Sequence, residues 1–414
     1  MKKLPSIFEN ISITYKNNDL IAAILLLGFC IAVFYHYFLG SYLHLSYPYN
    51  TFLFAPEDRF HDFTNVIKMT KDLNPYYSQL WAVYFPFFYV LVYPFSLLNM
   101  GFSLFIFHML FIFGVAYWNV KSFGRPETLN QIMALFIVTF LTYPFLFSID
   151  RSNFEELIFI FLMITIIAFE KRNLNLSAIF LSFAIATKLF PAVFLILFLA
   201  EKKYSHTVLV IALSLIETYF GLIILQGDVS TNISGLMHWL DKYQYDYIIG
   251  NGGYAFGHSL FGILKTGIFA VQLFLNVGYK NVLMRQHGNF IAQIYFIMSI
   301  LGFIYIAIVC WREEKYWKKI ALLVIAMNLL PYVSADYKLI YFLLPMGLLI
   351  RDENIGENKI YSTIFAFLLI PKAYLWLRGD INISIIVNPL LMLILLFVLI
   401  YKKQPLLGQS VLNQ

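Results

Sequence analysis

Charge is what this sequence most lacks. Only 13% of its 414 residues are Asp, Glu, Lys or Arg, against roughly a quarter in a soluble domain, so the chain cannot cover itself with polar surface. Cysteine is nearly absent. Cys30 and Cys310 both sit inside apolar runs, where they read as small buried hydrophobes and not as a disulfide or a metal pair. There is no phosphate-cradling glycine loop, no His-Glu-x-x-His and no Cys/His cluster. ATP use and zinc chemistry are therefore unsupported and no cofactor is expected, although a divalent ion at carboxylates stays open. The net charge of +6 is no nucleic-acid signal, because the basic residues fall in short links between apolar runs.

Apolar residues supply 60% of the chain, and no long polar stretch sets off a second domain. A single membrane domain over residues 1–414 is expected, with lipid as its main solvent. A hydrocarbon core takes about 20 helical residues to cross. The candidate spans are 20–39, 101–119, 130–148, 155–169, 206–225, 290–310, 319–334, 338–350, 360–377 and 385–401. The segment 176–200 reads as one kinked span or two short ones, because Lys188 and Pro191 interrupt it. The run from Leu20 to Leu39, behind Lys2 and Lys3, is long for a signal-peptide core and lacks a small-residue cleavage site, so it is expected to be retained.

Orientation follows from the basic links. Lys121 and Arg125, Lys171 and Arg172, Lys202 and Lys203, Arg312 to Lys319, and Lys402 and Lys403 are assigned to the cytoplasm. Counting crossings then puts 82–98, broken by Pro86 and Pro94, on the outer interface, and 260–276 likewise. The expected fold is an all-α polytopic bundle of about 10–13 spans with both termini inside. Interfacial helices lie in two long outer loops, at about 40–100 and 226–289. Loops of that length are where chemistry is expected.

Ionisable residues in or beside a membrane are expensive and tend to be functional. Four groups stand out, and crossing parity places all of them at the outer face. In Glu57–Phe63, Asp58 and Asp62 are four apart and would share one helical face, where a carboxylate can serve as general base; the plainer reading is a solvated loop neutralised by Arg59. In Asp150–Glu155, Arg151 can clamp a phosphate while Asn153 and Glu155 orient it or a sugar; the plainer reading is a turn capped by Asp150 and Ser152. Lys188 needs a partner, or snorkels, or meets an anionic headgroup. Asp336 and Lys338 either neutralise one another or offer Lys338 to phosphate. Converging cations at one face point to an anionic lipid substrate. Asn251-Gly252-Gly253 reads as a flexible turn and nothing more.

These residues, in this order, resemble the GT-C glycosyltransferases, in particular glycosyltransferase family 87 and the related GPI mannosyltransferases. Asp62-Phe63 precedes Asn74-Pro75-Tyr76 as an acidic motif precedes "x-P-Y". Tyr84-Phe85-Pro86-Phe87 looks like an interfacial-helix motif, and Arg151-Ser152-Asn153-Phe154-Glu155 is similar to "R-G-N-x-E". Lys188-Leu189-Phe190-Pro191 matches "K-x-x-P", and Asp336-Tyr337-Lys338-Leu339 a late turn. The resemblance covers roughly 50–345. Ser152 stands where the family has Gly. Asp58 and Asp62 stand in place of a clean D-x-D, which leaves the base open between them, with Asp62 better spaced.

The resemblance implies a polyprenyl-phosphate sugar as donor, often mannose, and transfer on the extracytoplasmic side, usually with inversion. It implies a glycan or glycolipid acceptor; the rich Phe, Tyr and Asn content points to a bacterial source, so that the multi-pass chain is expected in a bacterial plasma membrane. Asp62 or Asp58 would take the acceptor proton, and Lys338, Lys188 or Arg151 would stabilise the departing phosphate. A flippase or transporter of lipid-linked saccharides, or a polysaccharide polymerase, is the alternative. A transporter would tend to show internal repeats and polar groups at mid-depth, neither of which is found here.

Overall fold

The computed structural model describes residues 7–78, 80–250, 252–254, 256–275, 282–352, 355–376 and 381–401. Lys2, Lys3, Asn251, Lys402 and Lys403 of the assignments above lie outside them. The described chain is built from helices, with no strand longer than an isolated bridge such as that between Gly257 and Ala335. It is an all-α polytopic membrane protein.

Among the described residues, five helices are long and apolar enough to cross a membrane: Asn18–Tyr42, Met100–Phe123, Tyr204–Ile224, Val282–Arg312 and Ser384–Tyr401. A sixth crossing is counted if Leu129–Phe140 and Tyr143–Arg151, bent by 46° at their junction, form one broken span. The other expected spans are present as shorter helices: Glu155–Glu170, Leu174–Thr187, Tyr316–Leu329, Leu343–Ile350 and Ile355–Leu368. Sixteen residues rise only about 24 Å, less than the roughly 30 Å hydrocarbon core.

Burial explains the difference. Glu155–Glu170 and Tyr316–Leu329 are buried along nearly their whole length, so they face protein and need not match the bilayer. The long helices stand outside them and show apolar side chains outward, as Phe290, Ile297, Met298 and Leu301 do on Val282–Arg312. Cys310 is buried as expected. Cys30 is instead exposed, because it lies on an outward face of the first long helix.

Two segments that resisted assignment as spans break where their prolines and charges predict. Residues 176–200 form two short pieces: Leu174–Thr187 ends at Lys188, whose backbone is extended, and a tight turn Phe190–Phe194 leads into Leu195–Ala200. Within 82–98 the helix is only Pro86–Ser96, with Pro86 in its first turn, where no amide is missed. It lies against Tyr204–Ile224 at Gly221, where a β-carbon would sit 2.3 Å from the Phe87 nitrogen. Glycine is what lets these two backbones meet.

Candidate active site

The loops and breaks meet around a cavity of about 430 Å³. Asp62, Arg151, Asn153 and Lys188 line it, with Ala335 and Tyr337 from the late turn. Three of the four polar groups read from the sequence thus supply charged or amide side chains to one space, and the fourth supplies only neighbours of its charges.

Asp62 and Asn153 are placed by the phenylalanines that follow them. Phe63 and Phe154 stack with ring centroids 5.6 Å apart, and Phe107 packs on both at 5.0 and 4.9 Å. Burying these rings fixes the two polar side chains at the edge of an aromatic core. Asn153 donates to Asp62 at 2.6 Å, and Arg151 reaches the same carboxylate through Nε at 3.4 Å and through a close Nη2 contact. The remaining Arg151 nitrogen donates to the Asp58 carbonyl at 3.0 Å, and its guanidinium lies 4.2 Å over the Phe54 ring. A second pair clasps the same loop: Arg59 donates to Asp150 at 3.2 Å, and the Phe60 amide to the Asp150 carbonyl at 2.8 Å.

This geometry corrects three readings. Asp58 and Asp62 do not share a helical face. Asp58 ends the turn Pro56–Asp58, Phe60 is left-handed at φ 59°, and Asp62 opens the helix His61–Thr70. The Asp58 carboxylate, about half exposed, turns to His61 at 3.1 Å and away from the cavity. Arg59 neutralises Asp150 and not its own loop. Asp150 caps nothing, lying in the last turn of Tyr143–Arg151, whereas Ser152 caps the end of that helix at φ 51° and donates to the Ile149 carbonyl at 3.2 Å. That left-handed backbone favours glycine, which accounts for the family's Gly there. Ser152 is held by His108 Nε2 at 2.7 Å. The capping oxygen belongs to Asn153, which accepts from the Glu155 amide at 3.1 Å.

Lys188 has the partner that an ammonium in an apolar run requires. It donates to the fully buried Glu155 at 2.6 Å and lies 4.5 Å over the Tyr84 ring. Tyr341 donates to the other Glu155 oxygen. Lys338 stands 4.0 Å over the Phe190 ring, outside the cavity lining.

Asp336 and Lys338 do not neutralise one another. Asp336 is fully buried and accepts from Tyr143 at 2.9 Å, from His258 Nδ1 at 3.0 Å and from Asn388 at 3.1 Å. The far nitrogen of His258 lies 2.9 Å from the Ser334 hydroxyl. Asp336 thereby ties the late turn to three separate segments and holds Ala335 and Tyr337 in the cavity wall.

Several lining residues were missed. Asn65 and Met69 follow Asp62 on one face of its helix, which the i, i+3, i+7 spacing signals. Tyr243 and Tyr247 come from the long connection 226–289, with rings 5.0 Å apart, and no sequence feature marks them. The glycines at 252 and 253 do more than turn the chain: a β-carbon on Gly252 would sit 2.5 Å from the Tyr247 ring, and Gly253 has φ 73°. Lys265 locks this turn by donating to the carbonyls of Tyr247 and Gly252 at 3.0 and 2.6 Å. Burial, reinforced by the Asp62 carboxylate, pushes the Tyr84 and Tyr247 phenols up. Both keep their protons at neutral pH and offer O–H donors to a ligand. Among the described residues no three His, Cys, Asp or Glu side chains gather as metal ligands would.

No curated protein and no solved structure matches the chain. The sequence model of glycosyltransferase family 87 matches residues 81–334, more than half of the chain. The match holds Tyr84, Arg151, Asn153, Glu155 and Lys188; it begins after Asp62 and ends just before Asp336. The chain therefore belongs to glycosyltransferase family 87 and is a membrane glycosyltransferase.

Proposed function

We propose that the enzyme takes its sugar from a polyprenyl-phosphate donor and passes it, with inversion, to a lipid-linked or cell-envelope glycan on the extracytoplasmic face of a bacterial plasma membrane. The observation that carries this reading is the single cavity in which one carboxylate, Asp62, faces the same space as two cations, Arg151 and Lys188. Both outer loops contribute walls, through Phe54, Asp62 and Trp81 from the first and Tyr243, Tyr247 and Phe256 from the second. That supports one membrane domain with its chemistry on the side of those loops.

The acceptor hydroxyl attacks the anomeric carbon and gives its proton to Asp62. The bond from that carbon to the donor phosphate breaks, and its electron pair stays on the phosphate oxygen. A carboxylate offers about four acceptor positions; Arg151 and Asn153 take three, which leaves one for the hydroxyl. Lys188 has three N–H donors and spends one on Glu155, so two are free for phosphate. Cations already fixed where negative charge develops are commonly the largest catalytic contribution. Asp58 holds Arg151 through its carbonyl, and Asp336 anchors the late turn that brings Ala335 and Tyr337 to the wall.

The deciding experiment supplies purified, reconstituted protein with a panel of polyprenyl-phosphate sugars, mannose first, and glycan acceptors. Release of polyprenyl phosphate together with a new glycosidic bond is expected, and the anomeric configuration of the product reports inversion. Transfer from a nucleotide sugar but from no lipid-linked donor would overturn the proposal.

A further inference from the structure

We infer that a second, polar cup beside the cavity holds the inner sugars of a neutral oligosaccharide acceptor, an inference that rests on the transferase reading above. The cup has a volume of about 580 Å³ and is lined by Lys68, Asp72, Asn74, Tyr77 and Gln226. That is within the range of small-ligand sites. Met69 lines both spaces and forms the sill between them.

The cup is built rigidly. The Gln226 amide donates to the Leu73 carbonyl at 2.8 Å, and the Trp239 indole to the Tyr76 carbonyl at 2.9 Å. These bonds pin the turn after His61–Thr70 to the segment that follows Tyr204–Ile224. The Asn74 side-chain oxygen is buried at the cup and accepts from no group. A buried acceptor without a donor is costly, and a turn of the Asn74 side chain into the cup would let a sugar hydroxyl supply the donor. Lys68, Asp72 and Gln226 point exposed polar ends at the same space. One ammonium, one carboxylate and two amides carry no net charge, and they offer donors and acceptors together. That matches a ligand of many hydroxyls and not a phosphate.

The spacing fits an extended acceptor. Asp62 lies in the first turn of the helix His61–Thr70 and Lys68 in its last; the six positions between them correspond to about 9 Å at helical rise, and Asp72 follows just beyond the helix end. An acceptor whose terminal hydroxyl meets Asp62 lays its next sugar units across Met69 and into the cup.

The test uses full-length reconstituted protein and octyl glycosides of one, two and three neutral hexoses. Transfer kinetics are measured with a donor that the enzyme turns over, and calorimetry follows binding of the trisaccharide glycoside without donor. The double variant Asp72→Ala, Gln226→Ala should raise the KM for the trisaccharide roughly tenfold more than that for the monosaccharide, the scale of one or two neutral hydrogen bonds. Its trisaccharide binding should weaken by a similar factor. Asn74→Ala, checked for an unchanged unfolding midpoint, should shift the same ratio. Equal effects on short and long acceptors, or none, overturn the cup. If no lipid-linked donor is turned over, the transferase reading fails separately and calorimetry alone decides: trisaccharide binding lost in the double variant supports the cup, and unchanged or absent binding refutes it. Binding of glycerol phosphate that Lys68→Ala abolishes, with no saccharide bound, refutes it too.

Discussion

Replacing Asp62 by asparagine separates its two roles, acceptor of a proton and anchor of Arg151. Loss of general-base assistance is worth about 10²–10⁴-fold in rate. The same change disturbs the resting site, since Asp62 takes contacts from both Arg151 and Asn153. An amide keeps one oxygen but turns an N–H toward donors. The pair is partly screened, with side chains 22% and 14% exposed, so a stability loss of about 1.5–3 kcal/mol at most is expected, the usual range for a charged hydrogen bond. Transfer must therefore be compared at equal amounts of folded protein, with donor binding measured beside it. Asp62→Asn should bind donor and transfer at under a hundredth of the normal rate. Asp58→Asn should keep most activity, because Arg151 uses the Asp58 carbonyl and not its carboxylate. Near-normal transfer by Asp62→Asn would refute the assignment; a dead Asp58→Asn beside an active Asp62→Asn would move the base to Asp58.

Four further outcomes follow from named contacts. Lys188→Ala should lower kcat and also take the paired ammonium from the buried Glu155 carboxylate, which keeps the Tyr341 hydroxyl, so the protein should lose less than about 3–5 kcal/mol, the cost of a wholly uncompensated buried charge; adding Glu155→Gln should recover the unfolding midpoint but not kcat. Lys338→Ala should reduce kcat less than Lys188→Ala, because Lys338 stands over Phe190 outside the cavity lining, and steady-state kinetics of the two variants will show the order. Ser152→Gly should leave the unfolding midpoint nearly unchanged, since relief of the left-handed backbone, about 1–2 kcal/mol, offsets loss of the His108 contact, whereas Ser152→Val loses on both counts. Asp336→Ala should lower the midpoint strongly, as it orphans donors on Tyr143, His258 and Asn388; an unchanged midpoint would show that this network does not hold the late turn.

What the sequence disclosed was the exceptions to its own apolar rule. Asp62, Arg151, Asn153 and Lys188 were visible because each interrupts or borders an apolar run, and all four line one cavity. Their pairings were not visible. Lys188 finds Glu155 across 33 positions and Arg151 finds Asp62 across 89, and nothing in one dimension says which carboxylate a cation will take. The aromatic wall was equally hidden, since Tyr243 and Tyr247 are two of 29 tyrosines and only packing selects them. His258 gave no signal because its partner Asp336 had a nearer apparent partner in Lys338. The lengths of the buried helices were hidden for a related reason: a buried helix and a lipid-facing one are equally apolar, and only packing shows that Tyr316–Leu329 is buried along nearly its whole length.

The places where helices fail are the places where the site stands. Phe60 and Ser152 are left-handed, Lys188 is extended between two short helices, and Ala335 is extended at the head of the late turn. In a bilayer such backbone is tolerated only where protein or a polar cavity satisfies its freed groups, and here it is satisfied. The Phe60 amide finds the Asp150 carbonyl, the Asp58 carbonyl finds Arg151, and the Asp336 amide finds the Phe256 carbonyl. These bonds tie the first long loop to the bent pair and the late turn to the second long loop, and the Tyr143 hydroxyl on Asp336 joins the bent pair to the late turn. A change that weakens the clasp, such as Arg59→Ala, should therefore act on the cavity without touching it. The first loop should open to proteolysis near Glu57 while the core helices stay protected, and transfer should fall with it. If the loop stayed protected and transfer fell all the same, Arg59 would have to act on the reaction itself.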